Sequence, residues 1–165
     1  MANPFELRKA LYEEHLGEVD SVFEDTDPTD PRYPKIDVLG FERDFSSEED
    51  ETDDGWVLVT SGMSDRRMQL DAEALEGEAP PRAELVWYVR EPTEEILENL
   101  RWLARFPFLE QTWLGMGHTI PMPQPIFEGS ALTTFFFLPP IITMEQELAE
   151  NLRIGGDLVE LYVVH

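Results

Sequence analysis

The chain has 165 residues, 42% of them apolar, and its 35 acidic and 12 basic side chains give a formal net charge of -23. This length and composition predict a single domain, residues 1–165, with a substantial core. So acidic a surface disfavours binding to nucleic acid or anionic lipid and attracts basic partners, although acidity also serves solubility or reflects the source organism. Cysteine is absent, which excludes disulfides and thiolate sites and fits a cytoplasmic location. We expect no secretion signal, and no apolar run is long enough to span a membrane.

The first predicted element is a helix over residues 4–16. Asn3 is a typical N-cap, and Gly17 is placed to end the helix. The apolar residues that should face the core form a loose stripe of Leu7, Ala10, Leu11 and Leu16. Residues 25–34, rich in proline and aspartate, predict an extended surface loop.

Two predicted strands, residues 36–41 and 56–60, flank an acidic insertion at residues 42–55. Like charges at this density disfavour compaction, so we expect a mobile hairpin loop. Two interpretations stay open: a solvated insertion, or a surface that attracts a basic protein. On the second, the candidate partner-binding acids are Glu48, Glu49, Asp50, Glu51, Asp53 and Asp54.

The central part of the chain predicts a strand followed by the longest helix. Residues 71–81 form an acidic, turn-rich connection, and residues 83–89 alternate as a strand should. Thr93 is a helix N-cap, and we expect Pro107 to end the helix. The predicted apolar face of this helix is Ile96, Leu97, Leu100, Leu103 and Ala104.

Basic residues near the end of that helix should compensate its dipole. Arg101 and Arg105 lie in its last turns, where cations interact favourably with the negative end. We therefore expect both side chains to act there.

The C-terminal part predicts short strands around one more helix. Thr119 and Ile120 form a brief strand before Pro121, and residues 133–138 predict a strand buried on both faces. A short helix over residues 144–151 and a turn at the two glycines precede a final strand over residues 159–164. Five or six strands with one long helix between them predict an α+β domain, with a mixed, mostly antiparallel sheet and helices packed on it.

Two glycine-containing segments are the best candidates for function. Residues 58–65 and residues 113–121 each place glycine and polar side chains next to a predicted strand, and we expect both to lie over one edge of the sheet. The candidate partner-binding residues on them are Ser61, Met63, Asp65, Trp113, Met116 and His118. The tryptophan and the methionines fit a core role as well as an interface.

The sequence contains few signals of a metal site or a catalytic site. The three histidines, His15, His118 and His165, lack the spacing of metal ligands, and we find no phosphate-binding loop or nucleophile elbow. His118 with Asp65 or Ser61 is one catalytic hypothesis. The simpler interpretation is a histidine whose ring bonds a backbone carbonyl and fixes its loop. We predict no cofactor, no metal and no catalytic residue.

Five segments, taken together, resemble the bacterial suppressor-of-fused-like domain family. They are LVTSGMSD at residues 58–65, RAEL at 82–85, LARFP at 103–107, TWLGMGHTIP at 112–121 and LPP at 138–140. Their order and spacing fit the family, and the resemblance covers roughly residues 36–165. It implies a mixed α/β domain with no known catalytic activity.

The resemblance also implies a function. The animal relative binds a zinc-finger transcription factor of the Hedgehog pathway, and bacterial members act largely as immunity proteins that bind and neutralise a cognate toxin. We therefore predict a protein-binding domain of the immunity type, its partner a basic toxin that targets nucleic acid; the alternatives are a small hydrolase-like enzyme or a regulatory adaptor without a toxin. Two departures from the family are the acidic insertion and the missing acidic helical segment after the final strand, which indicates a short or truncated member.

Overall fold

The fold is a layered arrangement in which one mixed sheet has helices on both faces. The structure is a computed structural model and describes residues 3–26, 30–44, 54–123, 125–126 and 131–165. The helices are α1 (Pro4–Leu16), α2 (Ala72–Glu76), α3 (Glu94–Leu109) and α4 (Thr143–Asn151), with one 3-10 turn at Met63–Asp65. The strands are β1 (Ser21–Phe23), β2 (Asp37–Asp44), β3 (Asp54–Ser61), β4 (Arg82–Val89), β5 (Thr119–Pro121), β6 (Thr134–Leu138), β7 (Arg153–Ile154) and β8 (Asp157–Val164).

The sheet confirms the predicted α+β class and its mostly antiparallel pairing. The strand order is β1-β2-β3-β4-β8-β6-β5, and β7 pairs with β8 outside this path. Only β4 and β8 run parallel among the pairs of the described chain, with Arg82 opposite Val159. The described residues form eight strands where we predicted five or six. The additional ones, β1 and β7, have three and two residues, which is too short for a periodic pattern to be visible.

The core lies on both faces of the sheet. On one face α3 packs against Val38, Leu58, Leu85, Trp87, Phe135, Phe137, Tyr162 and Val164. On the other face α1 and α4 pack against Leu39, Phe41, Val57, Val59, Val86, Val159, Leu161 and Val163. The central strands are therefore buried on both faces, which positions their C-terminal loops rigidly.

Helix α1 has the predicted bounds and caps, and its predicted face is half right: Leu11 and Leu16 pack against the core, whereas Leu7 and Ala10 are exposed. The Asn3 side chain accepts the Phe5 N–H, and Gly17 follows the last turn at φ +95°. The residues that point at the sheet are Arg8 and Tyr12, both essentially buried, whereas Leu7 is 49% exposed. The Tyr12 hydroxyl donates to the Thr60 carbonyl at 2.8 Å. The prediction failed in part because α1 covers a polar cluster, so its inward stripe is only partly apolar.

Helix α3 has its predicted cap and apolar face but continues two residues beyond Pro107. Proline removes a single backbone donor, and the following turn is closed by the Glu110 N–H on the Phe106 carbonyl and the Thr112 N–H on the Pro107 carbonyl. Its arginines do not act on the helix end as predicted. Arg101 donates to the carbonyls of residues 23, 24 and 36, and Arg105 donates to Asp25.

Three further local predictions were wrong in part. Strand β6 buries Phe135 and Phe137 on one face only, since it lies next to the edge strand of the sheet. The connection at residues 71–81 contains α2, which Asp71 caps by accepting the Ala74 N–H. The loop at residues 25–34 is anchored rather than purely superficial, because Asp25 is 6% exposed and accepts the Ile36 N–H.

The acidic insertion is shorter than predicted. Residues 42–44 and 54–55 belong to β2 and β3 and pair with each other, so they are strand and not loop. No helix in the described part of the chain is long and apolar enough to cross a membrane.

Candidate functional site

The two glycine-containing segments leave the same end of the sheet but are not adjacent. We call residues 61–65, at the end of β3, the β3 loop and residues 113–118, before β5, the β5 loop. In the sheet order, β4, β8 and β6 lie between β3 and β5. The β5 loop contacts the chain that follows the β3 loop, since the Leu114 N–H donates to the Met68 sulfur at 3.3 Å. The expectation that both segments lie over one edge of the sheet is confirmed in that they share one end of it, with three strands between them.

The β3 loop is closed against the preceding chain. Gly62 has φ +134°, and a Cβ at this position would lie 1.9 Å from the Lys35 carbonyl oxygen. Only glycine therefore fits this approach without a backbone shift. Met63 and Ser64, which follow, are fully buried.

Arg8 holds the polar side chains of the β3 loop. Its Nε donates to Ser61 Oγ at 2.8 Å, and its Nη1 donates to Asp65 Oδ1 at 2.6 Å and to Ser64 Oγ at 3.3 Å. The arginine side chain is 1% exposed, whereas that of Asp65 is 36% exposed. A guanidinium with three acceptors on one loop fixes that loop to α1.

Glu84 lies beneath the same loop and is completely buried. One of its carboxylate oxygens accepts the N–H groups of Gly62 and Ser64 at 2.9 and 2.7 Å, and the other accepts the Thr60 hydroxyl at 2.8 Å. Burial raises the pKa of the Glu84 carboxyl, against the lowering effect of Arg8 and of these hydrogen bonds. The pKa of Arg8 is raised although burial alone would lower it, because Glu84 and Asp65 favour its charged form. The cluster thus combines a buried carboxylate, bonded by backbone N–H groups and a hydroxyl, with a buried guanidinium that is paired to the partly exposed Asp65.

An open cleft of about 300 Å³ adjoins this cluster, lined by Asn3, Phe5, Arg8, Glu24, Lys35, Asp37, Ser61 and Asp65. The Ser61 hydroxyl at its wall is 1% exposed and already bonded to Arg8. A hydroxyl that accepts from a guanidinium lacks the adjacent general base that activates a serine nucleophile.

The β5 loop is ordered by its own side chains. A Cβ on Gly115 would lie 2.5 Å from the Trp113 ring, so the ring lies directly on this glycine. Gly117 has φ +82°. The His118 Nδ1 accepts the Gly115 N–H at 3.0 Å, and its ring centroid is 4.5 Å from that of Trp113. The histidine thus fixes its loop as predicted, but the predicted partner was wrong: the ring accepts a backbone N–H and does not donate to a carbonyl through this nitrogen.

Beside the β5 loop lies a groove of about 500 Å³, which we call the β5 groove. It is lined by Phe106, Thr112, Trp113, Leu114, Gly117, His118, Thr119 and Ile120. The strand-like pairing of Gly117 N–H with the Phe137 carbonyl, at 2.8 Å, holds one wall in place. Met116, between the two glycines, is 65% exposed. The open loop therefore presents an apolar side chain and an aromatic wall to solvent.

The structure separates the residues of the catalytic hypothesis. Ser61 and Asp65 contact Arg8, whereas His118 contacts Gly115 and Trp113, and the clefts described above do not share these two groups. The convergence that this hypothesis required is absent from the described residues.

The predicted partner-binding residues fall into three groups. Ser61 and Met63 are buried and therefore inaccessible to a partner, and Asp65 forms an ion pair with Arg8. Trp113, Met116 and His118 form the open loop. Asp54 is exposed at the start of β3, and the remaining predicted acids, Glu48, Glu49, Asp50, Glu51 and Asp53, lie outside the described residues.

Arg8 and Glu84 were missed by the sequence analysis. Glu84 lies between Ala83 and Leu85 on a strand with an alternating pattern, whereas Arg8 lies outside the predicted apolar stripe of α1. A charge within a buried strand is a signal of a buried polar cluster, because a charge at such a position requires partners.

Metal-binding geometry is not found in the described ranges, where no three histidine or carboxylate residues gather. The other ion pairs are of the structural type. For example, Asp157 joins Arg67 and Arg82 at 2.8 Å each, which links the β7–β8 turn to the chain that follows the β3 loop.

The model of the suppressor of fused protein (SUFU) family matches residues 32–164. The chain belongs to the SUFU family. A crystal structure at 1.40 Å resolution, described as a SUFU homologue from Neisseria gonorrhoeae FA 1090, is similar over 97% of this chain and 75% of that one, with a TM-score of 0.64 and 18% sequence identity. At this identity the similarity concerns the fold, and it confirms the SUFU-like α+β architecture. A comparison with curated proteins found no match.

Proposed function

We propose that this SUFU-family chain is a non-catalytic, cytoplasmic protein-binding domain of the immunity type, which neutralises a basic, nucleic-acid-targeting toxin by direct binding. The observation that carries the proposal is the β5 loop, where Met116 is 65% exposed beside an aromatic groove on an otherwise acidic molecule. Exposed apolar and aromatic side chains next to a cavity are typical anchors of protein interfaces.

The charge of the chain supports the choice of a basic partner. A net charge of -23 creates a long-range field that accelerates encounters with a cationic protein and slows those with an anionic one. A toxin that acts on nucleic acid carries a basic surface, because it must bind phosphates. An acidic binder would therefore compete with the nucleic acid for the same surface.

The side-chain geometry argues against catalysis by the residues that could have carried it. The Ser61 hydroxyl and the Asp65 carboxylate are both committed to Arg8, and the His118 Nδ1 is committed to a backbone N–H. Each of these three groups bonds a different partner, so none of them forms a nucleophile–base pair with another.

The test is co-expression with the product of the neighbouring gene, followed by measurement of the dissociation constant at increasing salt. We expect a complex at low salt and a dissociation constant that rises at least about tenfold between about 50 and 300 mM salt, because electrostatic steering is screened. A basic protein from an unrelated source is the control for unspecific attraction. If no complex forms at low salt, the proposal is wrong.

A matched pair of substitutions locates the interface. Met116→Arg places a positive charge on the β5 loop, and Leu75→Arg places one on α2, where the side chain is 63% exposed against 65% for Met116. Both variants change the net charge equally. Against a basic partner, only Met116→Arg should weaken binding by about tenfold or more, as expected for an anchor position. Equal effects would mean that charge alone drives the association.

A further inference from the structure

We propose that the β5 groove binds an arginine side chain of the partner protein. This inference rests on the proposed function and deepens it, because it names the chemical group that the groove would recognise. Three features of the described residues lead to it: the C-terminal end of a helix, the aromatic rings that line the groove and the hydrogen bond that orients the histidine.

The groove lies at the negative end of α3. Phe106, in the last turn of this helix, and Thr112, just after its C-cap, both line it. The last turn of α3, which is described throughout, contains no basic residue, and the C-cap is Glu110. Cations interact favourably with a helix C-terminus, so this end attracts a positive charge that the helix does not supply.

The arginines that could have compensated this end are committed elsewhere. Arg101 donates to the carbonyls of Phe23 and Glu24, and Arg105 donates to Asp25 at 2.7 Å. Both therefore point toward the loop that follows β1. An incoming cation at the end of α3 meets no competing side chain from these two residues.

The walls of the groove favour a guanidinium over an ammonium. Trp113 and Phe106 line the groove with aromatic rings, and Trp113 is fixed by its contacts with Gly115 and His118. A guanidinium is planar, weakly hydrated and stacks on aromatic rings, whereas an ammonium is compact and strongly hydrated. Because the tryptophan is already ordered, little side-chain entropy is lost on binding.

His118 turns one ring nitrogen away from an incoming cation. Its Nδ1 accepts the Gly115 N–H at 3.0 Å, so this nitrogen faces its own loop. The Thr112 and Thr119 side chains add oxygen acceptors within the lining. Glu110 does not line the groove, but it is the exposed C-cap of α3, two residues before Thr112, and adds negative charge at this end of the helix.

The test uses the purified chain and two short peptides. The probe is acetyl-Gly-Arg-Gly-amide, and the control is the same peptide with citrulline, which has the shape of arginine without its charge. The four tryptophans give separate indole N–H signals in NMR spectra. We expect the arginine peptide to shift the Trp113 signal saturably, and the citrulline peptide to bind at least about fivefold more weakly, in line with cation–π energies.

Variants separate the site from unspecific attraction. Trp113→Leu should weaken binding of the arginine peptide about fivefold. Glu110→Gln, which leaves the aromatic walls intact, should weaken it about twofold and covers the case in which Trp113→Leu unfolds the chain. Trp56→Leu is the control, since Trp56 lies beside Glu42 and Asp54 in another cleft and offers a competing aromatic surface.

The outcomes are distinct. Equal shifts from both peptides, a shift of the Trp56 signal in place of Trp113, or binding that Glu110→Gln leaves unchanged would overturn the inference. If a toxin binds but the β5 groove does not accept arginine, the proposed function stands without this inference. If the peptide binds but no toxin does, the inference that the β5 groove binds arginine is supported and the proposed immunity function is wrong.

Discussion

The β3 loop and the β5 loop are alike in sequence and opposite in structure. Both combine glycine, methionine and a polar side chain at the same end of the sheet. In the β3 loop Met63 is fully buried and Asp65 is bonded to a buried arginine, whereas in the β5 loop Met116 is 65% exposed. The first loop stabilises the fold, and the second is free to meet a partner.

The cause of this difference is the position of each strand in the sheet. Strand β3 lies in the interior of the sheet and is covered by α1 on one face, so the loop after it is enclosed. Strand β5 is at the edge, and Met116 and Gly117 in the loop before it are exposed. A similar loop sequence thus becomes structural in the middle of a sheet and accessible at its edge.

The largest expected effect comes from a substitution in the buried polar cluster of Arg8, Glu84 and the β3 loop. Arg8→Met should lower the free energy of unfolding by about 3–5 kcal/mol, because it removes the donor to Ser61 and Asp65 and the positive charge near the buried Glu84 carboxyl. Lys9→Met, one residue away, is the control and should be close to wild type, since Lys9 forms only a surface pair with Glu13. Urea unfolding measures both. If the two variants are equally stable, the buried Arg8 side chain does not anchor the β3 loop.

The same substitution in both loops tests the comparison directly. Met63→Ala should lower the free energy of unfolding by about 2–5 kcal/mol, as for other buried methionines. Met116→Ala should change it by no more than about 0.5 kcal/mol, because the side chain is mostly in solvent. Binding to the partner should show the reverse order. A large stability loss at Met116 would mean that the β5 loop is also part of the core.

Local patterns in the sequence were sufficient for much of the fold. The bounds of α1 and the cap of α3 follow from Asn3, Gly17 and Thr93, whose effects act within one helical turn. The strand at residues 82–89 follows from its alternation. These elements were predictable because each depends on neighbouring residues.

The candidate site depended on contacts between distant parts of the chain. Arg8 meets Ser61 across 53 positions, and Glu84 meets Gly62 across 22. The separation of the two loops depends on the insertion of β8 between β4 and β6, which no local pattern indicates. Sequence therefore identified both loops but could not tell which of them is enclosed.

Glycine substitutions provide a third comparison. Gly62→Ala should lower the free energy of unfolding by about 3 kcal/mol, since it combines an unfavourable φ with a contact to the Lys35 carbonyl. Gly117→Ala should lower it by about 1 kcal/mol, because φ is also positive there but no atom lies within 4 Å of the added Cβ. Thermal or urea unfolding can resolve this difference. Equal losses would show that the two loops are constrained to the same degree.

The smallest expected effect is the pH dependence of the free energy of unfolding that Glu84 causes. Burial raises the pKa of Glu84 above its ordinary value of 4.5, so the folded chain binds this proton more tightly than the unfolded chain does. The resulting stabilisation is fully present below about pH 4.5 and is lost as the pH rises through the folded-state pKa. Glu84→Gln cannot titrate and should not show this loss.

The measurable quantity is the free energy of unfolding of Glu84→Gln minus that of the wild type, from urea unfolding between pH 5 and 8. Both chains share the repulsion within an acidic surface, so this repulsion cancels in the difference. We expect the difference to grow as the pH rises. A difference that shrinks would mean that Arg8 and the N–H groups of the β3 loop outweigh burial, in which case the enclosed loop is an anion-binding site satisfied from within the chain.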